Sequence, residues 1–416
     1  MKKKFVLFSL MTALAVGSIA LNGCKKDDPK DLTLKTLVAG DIDLNGATSP
    51  TTVPIEPVIV ATFSTDIDPL TATADNITLT QDYDNANIEL TFVVSKNTLT
   101  ITPAASLGNG ALYKLIMKGG LKSTEGKFLT ELSRTFTTIG TFVPAGAIAY
   151  WPFEDNSNDV VGDFSPAANG IVAITYTASR NANAGKAATF NGTTSIIEIP
   201  DGDQLMNTPD FTLSFWVKTN STGIDHGHFV MGLGAYYGFQ FEIFGAYDGA
   251  KFAIQYGYED GTSGAEDMWF PALATDNTNG GWQGWDFAKS LTAEEMTALL
   301  KDTWLHVTYT YNGTAKKGTL YYNGEKMKSF DFNLWPDGDA KRTVTGMKYA
   351  GIEPDVVNEL AFGFIQSRAG TLWDTEPWGG YDMPGANHFK GQLDDIRIFH
   401  KVLTSTEIQL MYDSEK

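Results

Sequence analysis

Along most of this chain apolar residues recur at every second position, in short runs broken by Gly, Pro, Asn and Asp. Runs at 54–63, 76–80, 88–94, 98–102, 113–117 and 134–138 predict short strands, with Asp-Pro, Asn-Gly and Gly-Gly steps marking turns. That spacing predicts a β-sandwich over 32–138. A Gly- and Pro-containing linker at 139–146 is too short for free tumbling, so the flanking domains are expected to hold a restricted orientation. Alternation returns at 148–153, 211–217, 238–244, 251–258 and 359–365. The Asp248 and Gly249 pair and the Asn323 and Gly324 pair read as hairpin turns. Helix signals come as two capping boxes, Thr292 with Glu295 and Thr404 with Glu407, the second followed by Ile408, Leu410 and Met411. Just before it, 391–399 alternates with Ile396 and Ile398 on one face and Leu393, Asp395, Arg397 and Phe399 on the other. Asp394 then falls on the isoleucine face, where an ionised carboxylate needs a cation or several donors.

This closing strand and helix resemble the end of the laminin-G-like, or concanavalin A-like, jelly-roll family. Four further segments in family order carry the resemblance: AIAYWPF at 147–153, ATFNG at 188–192 through 199–200, FTLSFWV at 211–217, and WLHVTY at 304–309 with LYYNG at 320–324. The first domain resembles the bacterial S-layer-type immunoglobulin-like domain in Phe63 and Ser64 with Asp66, Asp68 and Pro69, in 107–113, and in a closing 136–138. The expected fold class is therefore all-β: an N-terminal Ig-like β-sandwich, then a C-terminal concanavalin A-like jelly-roll sandwich over 147–416 with a short terminal helix. The first domain lacks concentrated exposed aromatics, histidines or paired carboxylates, which favours a spacer.

The chain opens with Lys2, Lys3 and Lys4, an apolar run to about Leu21, and LNGC ending at Cys24. This resembles a bacterial lipoprotein signal peptide over 1–23, and Cys24 is the single cysteine of 416 residues. With no partner for an intramolecular disulfide, Cys24 is expected to be the lipid anchor. Lys25, Lys26, Asp27 and Asp28 in the tether at 24–31 resemble the surface-export signal of Bacteroidota lipoproteins. The expected location is the outer membrane, lipid-anchored and facing the exterior. A net charge of −18 repels nucleic acid and anionic headgroups, so membrane contact is expected through the anchor only.

Two stretches exceed what a sandwich needs, 259–302 and 366–388, and long Trp-rich connections in a compact domain are usually functional. Trp269, Trp282, Trp285, Trp373, Trp378 and Tyr381 lie in them, and Trp335 in a shorter loop. Indole faces suit the apolar face of a sugar ring, and these residues are the carbohydrate-binding candidates; pinning the loops onto the sandwich is the alternative role for each. If they form one platform, the two stretches converge on one face. Asp155, Asn156, Asn158, Asp159 and Asp163 form an oxygen-rich loop, readable as a calcium site or as plain Asx turns. The family resemblance implies a rim Ca2+ carried by Asp163 and Asp394. Glucanases of this architecture carry Glu-x-Asp-x-x-Glu on one strand, and the chain has no such motif; Glu242 is followed by a turn before Asp248. His226 and His228 lack an obvious third ligand for a metal. The expected function is a non-catalytic, surface-exposed protein binding an extracellular glycan. A structural or adhesive surface protein and an unrecognised polysaccharide-degrading enzyme are the alternatives.

Overall fold

The structure, a computed structural model, describes residues 30–271 and 285–416. In the first domain the strands Ile42–Asp43, Leu34–Ala39, Ile59–Phe63, Thr98–Pro103 and Leu90–Ser95 form one antiparallel sheet in that order. Asn87–Ile88, Ile77–Gln81, Leu112–Met117 and Leu132–Thr137 form the other. Alternation builds the core between them: Ile59, Ala61, Phe63, Leu99 and Ile101 meet Ile77, Leu79, Tyr113, Leu115 and Phe136, all buried. The strand Leu34–Ala39 lay outside the predicted set because its alternation is broken by a bulge between Leu34 and Thr36.

The second domain is two larger sheets packed face to face. One runs Thr175–Ala178, Lys186–Asn191, Lys390–Phe399, Asp210–Thr219, Trp304–Asn312, Lys317–Tyr322, Glu325–Asp331, Trp285–Ala288, with Ala147–Trp151 also paired to Lys390–Phe399. The other runs Ile171–Val172, Ile196–Ile199, Leu360–Phe362, His228–Leu233, Phe239–Ile243, Ala250–Tyr258, Ser263–Phe270, with Val344–Met347 joined to Ala250–Tyr258. Phe215 of the first meets Phe241 and Phe252 of the second at 5.4 and 6.4 Å between ring centroids. Both expected hairpins form, and at the second Asn323 and Gly324 both take positive φ, 51° and 80°. Both capping boxes close as read, on Ala293–Leu300 and on Ser405–Glu415.

One residue corrects the reading of the last strand. Asp395 has φ +48°, and here the pairing with Asp210–Thr219 slips so that Ser214 faces Arg397 while Trp216 faces Asp394. The bulge inverts the alternation: Leu393, Ile396 and Ile398 all enter the inter-sheet core, and Asp394 leaves the isoleucine face. Asp394, Asp395 and Arg397 turn to the outer side, where the terminal helix covers them. The cation Asp394 requires is Arg180, whose Nη1 lies 2.6 Å from Oδ2 while Nη2 lies 2.6 Å from Asp395. Arg397 pairs with Asp395 at 3.1 Å and with Glu415, from the helix, at 2.7 Å. Trp216 Nε1 donates to Glu415 at 2.7 Å, and its ring lies 4.7 Å from the Arg180 guanidinium and stacks on Tyr412 at 5.8 Å. His306, on the neighbouring strand, is held by Ser214 Oγ at 2.8 Å, and burial pushes its pKa down to about 3.

The helix also joins the domains. Phe399, Leu403, Ile408 and Met411 belong to the same apolar cluster as the Ig-like core. The linker residue Phe142 is buried against Tyr83, and its N–H donates to Ser414 Oγ at 2.9 Å. The linker is therefore docked along the helix, which gives the restricted orientation a physical basis.

Two arginines face three carboxylates here, and all five are buried. Burial and the neighbouring Asp395 push Asp394 up to about 8, whereas the Arg397 and Arg180 charges overcome burial and hold Asp395 below its ordinary value. A carboxyl raised on folding stabilises in its protonated form. That contribution is full below the unfolded aspartate pKa and has drained away once pH passes about 8. Above about pH 7.5 the buried histidines are neutral in both states, so from there to about pH 8 stability is expected to fall by on the order of 1 kcal/mol per pH unit. Denaturant melts across that window check it: Asp394→Asn should flatten the decline, and an identical slope would refute the assignment. Arg397→Met, which leaves Glu415 and Asp395 with less compensation, is expected to cost about 3–5 kcal/mol.

Candidate functional site

The outer face of the first large sheet is taken up by the helix; that of the second is open. Register decides which side chains stand on it. Glu242 pairs with Lys251, Lys251 with Trp269, Gln240 with Ala253, and Ala253 with Asp267. All of them point away from the core, since Phe241, Phe252, Met268 and Phe270 between them point into it. Lys251 Nζ bridges Glu242 at 3.2 Å and Asp267 at 3.7 Å and sits 5.2 Å from the Trp269 ring centroid. Gln240 Nε2 donates to Glu242 Oε2 at 3.3 Å. Burial raises the Glu242 pKa, opposed by Lys251.

The 366–388 stretch walls this floor. Its end is stitched to the sheet by a parallel bridge between Phe229 and His388 and by the Phe229 N–H donating to Asn387 O at 2.8 Å. Trp373 and Trp378 lie 4.9 Å apart between ring centroids, Trp378 edge-on to Phe229 and Trp373 beside Tyr236. Together, wall and floor enclose an open cleft of about 570 Å³, lined among others by Gln240, Glu242, Lys251, Asp267, Trp373 and Trp378. Trp378 keeps 39% of its surface exposed. The Trp373 Nε1 is buried and has no hydrogen-bond partner among the described residues.

The other candidates disperse. Trp269 is on the strand Ser263–Phe270 and not in a loop; it is 45% exposed, packs on Phe244 at 5.0 Å, and shares the face of the cleft floor without lining the cleft. Glu266, buried on the same face as Met268 and Phe270, breaks the apolar alternation that would announce this strand. Trp285 pairs through its backbone with Phe330 at the edge of the opposite sheet, so among the described residues the first insertion reaches the cleft through Ala265 and Asp267. Trp335 is buried in the core with Lys341 Nζ 4.0 Å from its ring centroid, which withdraws it from any platform. Tyr381 is a pin: its hydroxyl donates to Thr194 O at 2.6 Å and its ring packs on Phe364 and His388. Trp282 and Cys24 lie outside the described residues.

Sequence reasoning missed Gln240, Lys251, Asp267 and Asn387 as site residues, and took Glu242 only as a failed glucanase position. The signal for part of this was present. The hairpin at Asp248 and Gly249 sets Glu242 opposite Lys251, and alternation sets Gln240 beside them.

The histidines are structural. His228 Nδ1 accepts the Lys390 N–H and Nε2 donates to Tyr247, with the pKa pushed by burial down to about 4. His226 Nδ1 donates to Gly227 O.

Two family models match. Residues 43–138 match the bacterial Ig-like domain, and 191–354 the concanavalin A-like lectin/glucanases superfamily. The chain thus carries an Ig-like domain followed by a concanavalin A-like domain. No curated protein matches. Among solved structures, the binding domain of Paraclostridial Mosquitocidal Protein 1 aligns at 15% identity and TM-score 0.41, over 65% of this chain and 52% of that one. The botulinum neurotoxin serotype D ligand binding domain, solved with N-acetylneuraminic acid, aligns at 13% and 0.39, over 65% and 51%. Domain 4 of AbnA, an extracellular arabinanase from Geobacillus stearothermophilus, solved with arabinotriose, aligns at 18% and 0.37, over 64% and 98%. This chain spans about half the length of the toxin domains it matches.

The residues expected to hold calcium do not suit it. Asp394 is committed to Arg180, and Asp163 stands exposed in its loop. That loop is organised by Asp159, whose carboxylate accepts the N–H groups of Tyr150, Val161, Gly162 and Phe164 at 2.9–3.1 Å. A carboxylate receiving four backbone donors has little capacity left for a cation. Among the described residues no cluster of His, Cys, Asp and Glu has a metal-holding arrangement. Melting curves in chelator and in millimolar calcium are therefore expected to coincide; a calcium-dependent rise would reinstate the site.

Proposed function

We propose that this is a non-catalytic, surface-exposed, lipid-anchored protein whose concanavalin A-like domain binds a glycan in the cleft above the Phe239–Ile243, Ala250–Tyr258 and Ser263–Phe270 strands. The observation that carries the reading is the meeting of an indole wall, Trp373 and Trp378, with a floor of planar and charged hydrogen-bonding groups. Sugars offer that combination: C–H faces for rings, and hydroxyls that both donate and accept. Of the floor's ion triad, Lys251 and Glu242 are mostly buried and Asp267 stands open toward the cleft, where its carboxylate can accept from a ligand. The cleft also opens on the side away from the helix and the Ig-like domain, as suits a spacer that holds the binding face outward.

Trp378→Ala is expected to weaken binding on a glycan array or affinity gel by about 1 kcal/mol, close to a factor of five, with the domain still folded. Equal retention of variant and parent would refute the cleft as the site. Analysis of the same incubations for released sugars separates binding from hydrolysis.

The anchor is part of the proposal. Cys24→Ala is expected to abolish acylation and move the protein from the detergent phase to the aqueous phase, since lipid chains would supply most of the retention. Unchanged partitioning would refute the lipoprotein reading.

A further inference from the structure

Resting on that binding reading, the charge pattern of the cleft narrows the ligand class: we infer that it takes neutral oligosaccharides and excludes those bearing carboxylate or sulfate groups. Lys251 is the one cation among the described lining residues, and it is already matched by Glu242 at 3.2 Å and Asp267 at 3.7 Å. The floor therefore carries one more negative than positive group. Asp267 is the most open of the three, its side chain 41% exposed, so an incoming anion meets it before reaching Lys251. Among the described residues no unpaired arginine or lysine lines the cleft to receive an acid. The chain's net charge of −18 adds a repulsive long-range field. What remains reads hydroxyls. Carboxylate oxygens of Glu242 and Asp267 accept from them, and the amides of Gln240 and Asn387 donate and accept. Specificity here is negative as much as positive: a carboxylated sugar is rejected by like charge, while its neutral counterpart keeps every ring and hydroxyl contact.

The test is a glycan array carrying neutral oligosaccharides beside their acidic counterparts: lactose with sialyl-lactose, xylo-oligosaccharides with glucuronoxylo-oligosaccharides, neutral galactans with sulfated ones. Calorimetry on soluble hits follows. The expected result is binding to one or more neutral members with affinity at least about tenfold above the acidic partner, the like-charge cost being large enough for that. Asp267→Asn removes the charge and keeps an accepting oxygen, so it is expected to narrow the gap by raising the affinity for the acidic member of each pair. Trp378→Ala, weakening both, ties the signal to the cleft. Acidic glycans bound as well as neutral ones, or a gap that Asp267→Asn leaves unchanged, would overturn the inference and leave the glycan-binding reading standing. Silence across both sets would overturn the reading and the inference with it.

Discussion

The buried pairing of Arg180 and Arg397 with Asp394, Asp395 and Glu415 governs the rest of the second domain. Its members come from a loop, the central strand and the last turn of the chain, so no part of it is satisfied until strand and helix are both in place. Removing either arginine leaves its carboxylates uncompensated in a place water does not reach. Tyr150, from the opening strand, adds its hydroxyl to Asp395, and so the first and last strands of the domain close on one another through the same group. Apolar packing of Met411 and Ile408 seats the helix, while the ionic set fixes its register over Trp216 and His306.

That arrangement divides the sandwich by use. The outer face of one sheet is consumed by the helix, and through it by the Ig-like domain, which packs against the same apolar residues. The opposite outer face has no such cover. There the 366–388 stretch stands along one side, converting a flat sheet into a cleft without disturbing the strands beneath. Its anchoring is local: Tyr381 and His388 tie it down with their own hydrogen bonds and stacked rings. A rigid floor with a separately fastened wall allows the wall's residues to change with little effect on the fold.

Much of this was legible from residue order. Alternation located most strands, two capping boxes located both helices, and Gly- and Asn-containing pairs located the hairpins, because each signal is local. The failures have physical causes. A single positive-φ residue, Asp395, reversed the faces of the last strand, and no pattern in 391–399 announces it. The strand carrying Trp269 was hidden because Glu266 occupies an inward position, joined to Lys341. Trp335 and Tyr381 could not be told from ligand-facing aromatics, since burial against a distant strand leaves no trace in the neighbouring sequence. The linker's docking was inferred from its length, whereas its cause, Phe142 against Tyr83 and Ser414, spans most of the chain.

The cleft's dimensions set the strength of recognition expected from it. It is shallow and open, with two indoles and a handful of hydrogen-bonding groups. Stacking contributes about 0.5–1.5 kcal/mol per ring. Each solvent-exchanged hydrogen bond adds about 0.5–1.5 kcal/mol more. Against the cost of immobilising a flexible oligosaccharide, such contacts correspond to dissociation constants in roughly the micromolar-to-millimolar range. A single domain in solution would hold a glycan poorly. Many copies tethered to one membrane would face a polymeric ligand together, and rebinding at high effective concentration would replace affinity at any one site. On the proposed anchoring, a weak and selective cleft, held outward by a docked spacer, is sufficient for retention at a surface.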